Sequence, residues 1–268
     1  MNNPEHGGAL SGVQLYKFFN HMYHEEDKIP ENFVPLNKDN SKLYNSKLKV
    51  FYNPKNIHIV AVHRGTEIKD KRDVFNNVRN FIAVKNKYLI TYRNLNAKEG
   101  HNELTDFLIK IYKYRNTKKY SKYKTIIDYI DKLTKSSKKL TVINAVDKLL
   151  KQKLSTIGYS QGAVYAYLYG AEGKETLVYN PAPFFEKKPD NTYVVKTAID
   201  PISVLNSSEK IHILKKKSKT YKEMQSMKTY KEAHSLKPLK NVTKKFGNKS
   251  LITNDKKRKN NKTRKNNF

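Results

Sequence analysis

Cysteine and tryptophan are both absent from the 268-residue sequence. Without cysteine there is no disulfide framework, no thiolate metal site and no cysteine nucleophile. Long apolar runs are missing as well: none approaches the ~20 residues that a membrane-spanning helix needs. Met1 to His6 lack the basic-then-apolar layout of a secretory signal, which together with the missing thiols favours an intracellular protein. Gly7-Gly8 is not followed by Lys-Ser/Thr, so no phosphate-cradling loop is present. No histidine–carboxylate cluster has metal-ligand spacing; His21 and His24 read as part of a solvated or half-buried helix face. No cofactor is expected.

Acidic residues are scarce beside basic ones: 24 Asp and Glu against 54 Lys and Arg, a formal charge of +30. From Glu209 to Phe268 there are 20 basic and 4 acidic residues, so more than half of the excess lies in under a quarter of the chain. A basic C-terminal stretch with Lys256-Lys257-Arg258-Lys259 suits an anionic membrane surface, nucleic acid or a nuclear address. Lysine, asparagine and tyrosine also have AT-rich codons, and codon bias accounts equally well for the basicity of the body.

Residues 9–23 read as a helix, with Leu10, Val13, Phe18, Phe19 and Met22 able to share a side. A loop rich in Pro, Asn and Asp follows over 27–45. Leu48 to Tyr52 and Ile57 to Val62 flank the turn Asn53-Pro54-Lys55-Asn56 and read as two adjacent strands. Residues 102–150 are helical in pattern with one break near Thr117-Lys118-Lys119. Strands are expected at Leu154 to Ile157, Thr176 to Tyr179, Tyr193 to Val195 and Ile211 to Leu214, and a helix of small and apolar residues from Ala163 to Tyr169. Strands alternating with helices imply an α/β fold with a mostly parallel central sheet and helices on both faces. Residues 1–242 form the expected domain; 243–268 are too polar and basic to fold alone and are expected to be disordered.

The chemistry-bearing motif is Gly158-Tyr159-Ser160-Gln161-Gly162, set between a short strand and the small-residue helix. A serine on a tight strand-to-helix turn needs small residues two positions to either side, and the next amide then heads a helix, where it can face a developing oxyanion. The same five-residue pattern also serves an ordinary βα turn, so the surroundings matter. A serine nucleophile needs a base. Two histidines follow Ser160: His212 sits within a strand, whereas His234 lies in a loop-like stretch and is the better candidate. For the orienting acid, Asp200 follows a strand and precedes Pro201; Asp190, in Lys188-Pro189-Asp190-Asn191, reads as a surface turn. His63-Arg64-Gly65-Thr66 closes an early apolar strand, where a second oxyanion donor, Thr66, would arise.

Taken in order, these stretches resemble the class 3, or fungal-type, lipase family. The matching pieces are Ile59 to Thr66 with its Arg-Gly-Thr, the elbow from Ser155 to Tyr169, the Val178-Tyr179-Asn180-Pro181-Ala182-Pro183 turn, Ile199-Asp200-Pro201-Ile202-Ser203, and Ala233-His234-Ser235-Leu236. The resemblance spans roughly residues 47–239. It implies an α/β-hydrolase fold, carboxylic-ester hydrolysis, a Ser160–Asp200–His234 triad, and oxyanion donors at Thr66 and Gln161. It further implies a structural role for Asp73 beside the oxyanion loop; residues 92–101 are read as a lid or a plain surface loop. The chain departs from the family at Tyr159, usually His; at Gln161, usually Leu; and at His63, usually Phe. The elbow wording is closer to that of cutinases. The expected substrate is a lipid or other ester. The competing expectation is an inactive hydrolase-fold protein that binds nucleic acid or anionic lipid through its basic surface.

Overall fold

Asn53 to Ile57 reverse the chain, and the apolar runs on either side pair as an antiparallel hairpin, as their spacing predicts. A computed structural model of the protein describes residues 10–65, 102–117, 120–136, 141–170, 173–182, 190–197, 211–214, 236 and 239–240. The hairpin strands are β2 (Leu48–Asn53) and β3 (His58–His63), paired from Leu48 opposite His63 to Asn53 opposite His58. A two-residue strand, β1 (Val34–Pro35), adds to β2 at the edge. It lies inside the stretch read from sequence as loop. Pro35 lacks an N–H and so fits only at such an edge.

From β3 onward every pairing is parallel: β4 (Leu154–Tyr159), β5 (Glu175–Tyr179), β6 (Thr192–Thr197) and β7 (Ile211–Leu214). Among the described residues the strands form one seven-stranded sheet in sequence order. The fold is therefore mixed α/β with a mostly parallel sheet.

Alternation along the strands sorts the core into two faces. Phe51, Val60, Val62, Ile157, Leu177 and Val195 pack with Leu15, Phe18, Phe19 and Met22 of α1 (Gly12–Tyr23). Val50, Tyr52, Ile59 and Ala61 point the other way, into a cluster built from α2 (residues 102–112), α3 (Tyr120–Lys135) and α4 (Val142–Lys153). Val178 and Val194 carry that same face on to α5 (Gly162–Tyr169). Helices thus cover both faces, which is why the parallel strands are apolar on both sides.

The helix boundaries have local causes. Ser11 caps α1: its side chain accepts from the Gln14 amide, and the Gln14 side chain returns the bond to the Ser11 amide. The helix therefore starts after Leu10, which is buried but outside it. Residues 102–150 hold a second interruption besides the expected one, because Thr141 caps a new helix by accepting from the Asn144 amide. At the far end of α1 the chain is tied down. Lys49 of β2, almost fully buried, pairs with Glu25 and holds that carboxyl below its usual range. His21 bonds the Asp27 carbonyl at 2.7 Å through Nδ1 and the Tyr44 hydroxyl at 3.2 Å through Nε2.

Leu149, fully buried where α4 meets the sheet, tests this core. Leu149→Ala is expected to lower the unfolding free energy by about 2–5 kcal/mol, read from the urea midpoint with the slope unchanged.

Candidate active site

Among the described residues, Ser160 is one of four non-glycines with a left-handed backbone, at φ 53°. A residue held there costs about 1–3 kcal/mol and persists only when its surroundings over-determine it. Here they do. The Ser160 amide donates to the Tyr179 carbonyl at 3.1 Å, and its own carbonyl accepts from the amides of Ala163 at 3.1 Å and Ala182 at 3.0 Å. The serine is thus pinned between the head of α5 and the Asn180-Pro181-Ala182 turn that ends β5.

The flanking glycines are sterically required. A Cβ on Gly158 would lie 2.4 Å from the Gly162 carbonyl oxygen; one on Gly162 would lie 2.4 Å from the His63 carbonyl oxygen and 2.6 Å from that of Arg64. No real Cβ survives such contacts with backbone. Gly65 completes the crowd: a Cβ there would meet the Tyr159 carbonyl oxygen at 2.7 Å, the Tyr23 hydroxyl at 2.8 Å and Ser160 Cβ at 3.1 Å. The Arg64-Gly65 turn therefore lies directly against the serine. Gln161, buried, stands at the N-cap position of α5 without a side-chain cap bond, so the amide after the serine sits at the positive end of the helix dipole. All of this lies at the carboxyl end of the parallel strands, where open α/β sheets place their sites.

An aromatic wall adjoins the serine. Tyr159 stacks on Tyr179 at 5.7 Å between ring centroids and meets Tyr23 edge-on at 6.2 Å; Phe19 lies 6.0 Å from Tyr159. The guanidinium of Arg64 lies over the Tyr23 ring, 5.8 Å from its centroid. These α1 contacts were not foreseen in the sequence, because nothing local links Tyr23 to an elbow over a hundred residues away.

The structure thus brings together Ser160, Gln161, the Arg64-Gly65 turn and the Asn180-Pro181 turn. Thr66, Asp200 and His234 lie outside the described residues, as do Asp73, residues 92–101 and 243–268. Asp190 lies in an exposed turn, as read from the sequence, and His212 lies in β7.

Buried histidines at other positions are not bases for Ser160. His63 is enclosed by Tyr165, stacked at 6.3 Å, and Tyr169, edge-on at 5.2 Å, and its Nε2 has no hydrogen-bond partner. Burial pushes its pKa down to about 3, so it is a neutral ring. At the opposite end of the central strands, His58 Nε2 bonds Ser155 Oγ at 2.6 Å, and the Ser155 hydroxyl donates to Glu175 Oε1 at 2.6 Å. This set holds a serine, a histidine and a carboxylate, but the serine is the middle member and is fully buried. Burial, aided by the charges of Lys174 and Lys153, pushes His58 down to about 4, and burial raises Glu175. The set cross-links three strands and offers no attacking group.

Among the described residues no cluster of His, Asp or Glu could hold a metal ion, and no helix is long and apolar enough to cross a membrane. Comparison of the chain with family models, curated proteins and solved structures finds no match.

His63 yields a pH test. Its folded pKa lies below the unfolded value near 6.5, so the unfolded chain takes up a proton that the folded chain refuses as pH falls below ~6.5. Stability is present above that value and drains away on acidification. His63→Phe removes this drain. The variant should melt no lower than wild type at pH 7, and between pH 7 and pH 5 wild type should lose about 2 kcal/mol more than the variant, measured by urea unfolding at both pH values.

Proposed function

We propose that this protein is a serine carboxylic-ester hydrolase of α/β-hydrolase type, similar to class 3 lipases. The observation that carries the reading is Ser160 at φ 53° on the turn between β4 and α5, with Gly158 and Gly162 each excluded from bearing a side chain. An ordinary βα turn has no need to hold a serine in a strained conformation and to close three backbone segments around it. A nucleophile elbow needs both, to lift the hydroxyl off the strand end and set the next amide beside it.

In this reading Ser160 Oγ attacks the ester carbonyl while His234 takes its proton, and Asp200 orients His234. The amides of Gln161 and Thr66 hold the oxyanion. The carbonyl re-forms, the alcohol leaves with the proton from His234, and water repeats the sequence on the acyl-enzyme. No metal enters these steps. Tyr23 and Tyr159, both only partly buried, would give the acyl group apolar surface beside the serine. Fluorophosphonate should label wild type and leave Ser160→Ala unlabelled; equal labelling of both would sink the assignment.

Exposed lysines on one helix pair, without an ion pair among the described residues, support a second, separable reading, in which the hydrolase scaffold holds a nucleic acid or an anionic lipid surface. Asp128 is held by Lys124 and Asp131 by Lys135 and Arg115, while Lys122, Lys132, Lys148 and Lys151 on the same helix hairpin are exposed with no ion pair among the described residues. This reading predicts binding to duplex DNA or to phosphatidylserine vesicles that weakens steeply as salt rises, and no ester turnover. Ester hydrolysis lost in His234→Ala would count against it.

A further inference from the structure

A buried chain of hydrogen bonds crosses the start of three neighbouring strands. His58 opens β3, Ser155 is the second residue of β4 and Glu175 opens β5. Ser155 stands opposite Glu175 in the β4–β5 register, and opposite Val60, two residues on from His58, in the β3–β4 register. The three side chains therefore share one face of the sheet. His58 Nε2 is 2.6 Å from Ser155 Oγ, and Ser155 Oγ is 2.6 Å from Glu175 Oε1. All three residues are buried. The imidazole is also held by packing, since Phe33 meets it edge-on at 5.7 Å and the His58 amide donates to Asn56 Oδ1 at 3.2 Å.

The hydroxyl in the middle has one hydrogen to give and lone pairs to accept with, so both bonds must run in one sense. An ionised Glu175 only accepts. Ser155 then donates to it and accepts from His58, which places the imidazole hydrogen on Nε2. A protonated Glu175 is a buried donor in need of an acceptor, and among the described residues Ser155 Oγ is its hydrogen-bond partner. Ser155 then accepts from Glu175 and donates to Nε2, and the imidazole hydrogen must stand on Nδ1.

The surroundings decide which group takes the first proton. Burial opposes an imidazolium at His58, and the charges of Lys174 and Lys153 oppose it further, holding its pKa at about 4. Burial favours the neutral carboxyl of Glu175 and raises its pKa, against the downward pull of the Ser155 hydrogen bond and of Lys174. The proton therefore goes to the carboxyl, and the ring changes tautomer without becoming charged.

We infer that His58, Ser155 and Glu175 form a proton-driven switch, in which one proton taken up at Glu175 reverses both hydrogen bonds and moves the imidazole hydrogen from Nε2 to Nδ1. The hydrogens balance. Nδ1 gains one from solvent, Nε2 passes its own to Ser155, and Ser155 passes its own to Glu175. The cluster goes from one negative charge to none. This switch is independent of the chemistry proposed at Ser160, which lies at the other end of the same strands.

The test is a pH titration of the full-length protein, labelled with 15N-histidine, by long-range 15N–1H correlation spectra from about pH 7.5 to about pH 4.5. The His58 signals are those missing from His58→Gln. In wild type, Nε2 should carry the hydrogen at the upper end, and the two ring nitrogens should exchange their N–H and lone-pair shifts on acidification. The midpoint should lie above the ordinary glutamate value of 4.5. Glu175→Gln places an amide donor where the protonated carboxyl would be, so it should hold the hydrogen on Nδ1 even at the upper end. Ser155→Ala breaks the chain and should abolish the exchange. A wild-type ring that keeps one tautomer throughout, or that becomes imidazolium before the nitrogens exchange, would overturn the inference. So would Glu175→Gln with the hydrogen still on Nε2, or an exchange that survives Ser155→Ala. If either variant fails to fold, the wild-type titration decides by itself.

Discussion

Three backbone segments meet at one point beside Ser160, and the arrangement of the site follows from how closely they approach. The end of β3, the turn after β4 and the start of α5 pack so tightly that Gly65, Gly158 and Gly162 have no room for a methyl group. Parallel pairing of β3 with β4 sets His63 opposite Gly158, and pairing of β4 with β5 sets Tyr159 opposite Tyr179. Those two registers bring the Arg64-Gly65 turn and the Asn180-Pro181-Ala182 turn to the same end of the sheet. The strain at Ser160, about 1–3 kcal/mol, is small against the core that enforces it, so the left-handed backbone of the serine is a consequence of packing.

Burial then sorts groups that look alike in sequence. Ser155 and Ser160 are five residues apart on one strand and its turn. One is fully buried in a relay with His58 and Glu175; the other, 9% exposed, lies where the strands end. His58 and His63 bracket a single strand and are both kept neutral, with pKa values near 4 and 3, because burial opposes charge on each and the nearby Lys174 and Lys153 add to that at His58. His63 serves as an aromatic ring between Tyr165 and Tyr169.

Much of the frame was legible in the sequence for local reasons. The hairpin turn Asn53-Pro54-Lys55-Asn56 flanked by apolar runs, the short strand before Gly158 and the small-residue helix after Gly162 all carry their own signals, and each element forms within a few residues of its expected place. Edges were less legible. Val34–Pro35 pairs only because Tyr52 and Phe51 are there to receive it. The second break in 102–150 depends on Thr141 acting as a cap, a choice that Thr makes only when the chain beyond it turns. Lys49 lies within an expected strand, yet nothing local to it shows that it is buried and paired with Glu25 from another segment.

The sequence by itself determined the elements and singled out Ser160, since strand and helix periods and the glycine spacing of a tight turn are local properties that fold the same way wherever the chain goes. Tertiary structure decided what surrounds that serine. That Gly65 abuts it, that the Asn180 turn pins its backbone, that Tyr23 and Arg64 reach it and that His63 turns away from it all depend on strand register and on which face of the sheet each helix covers. No window of sequence contains those contacts, because their partners are joined only through the packed core.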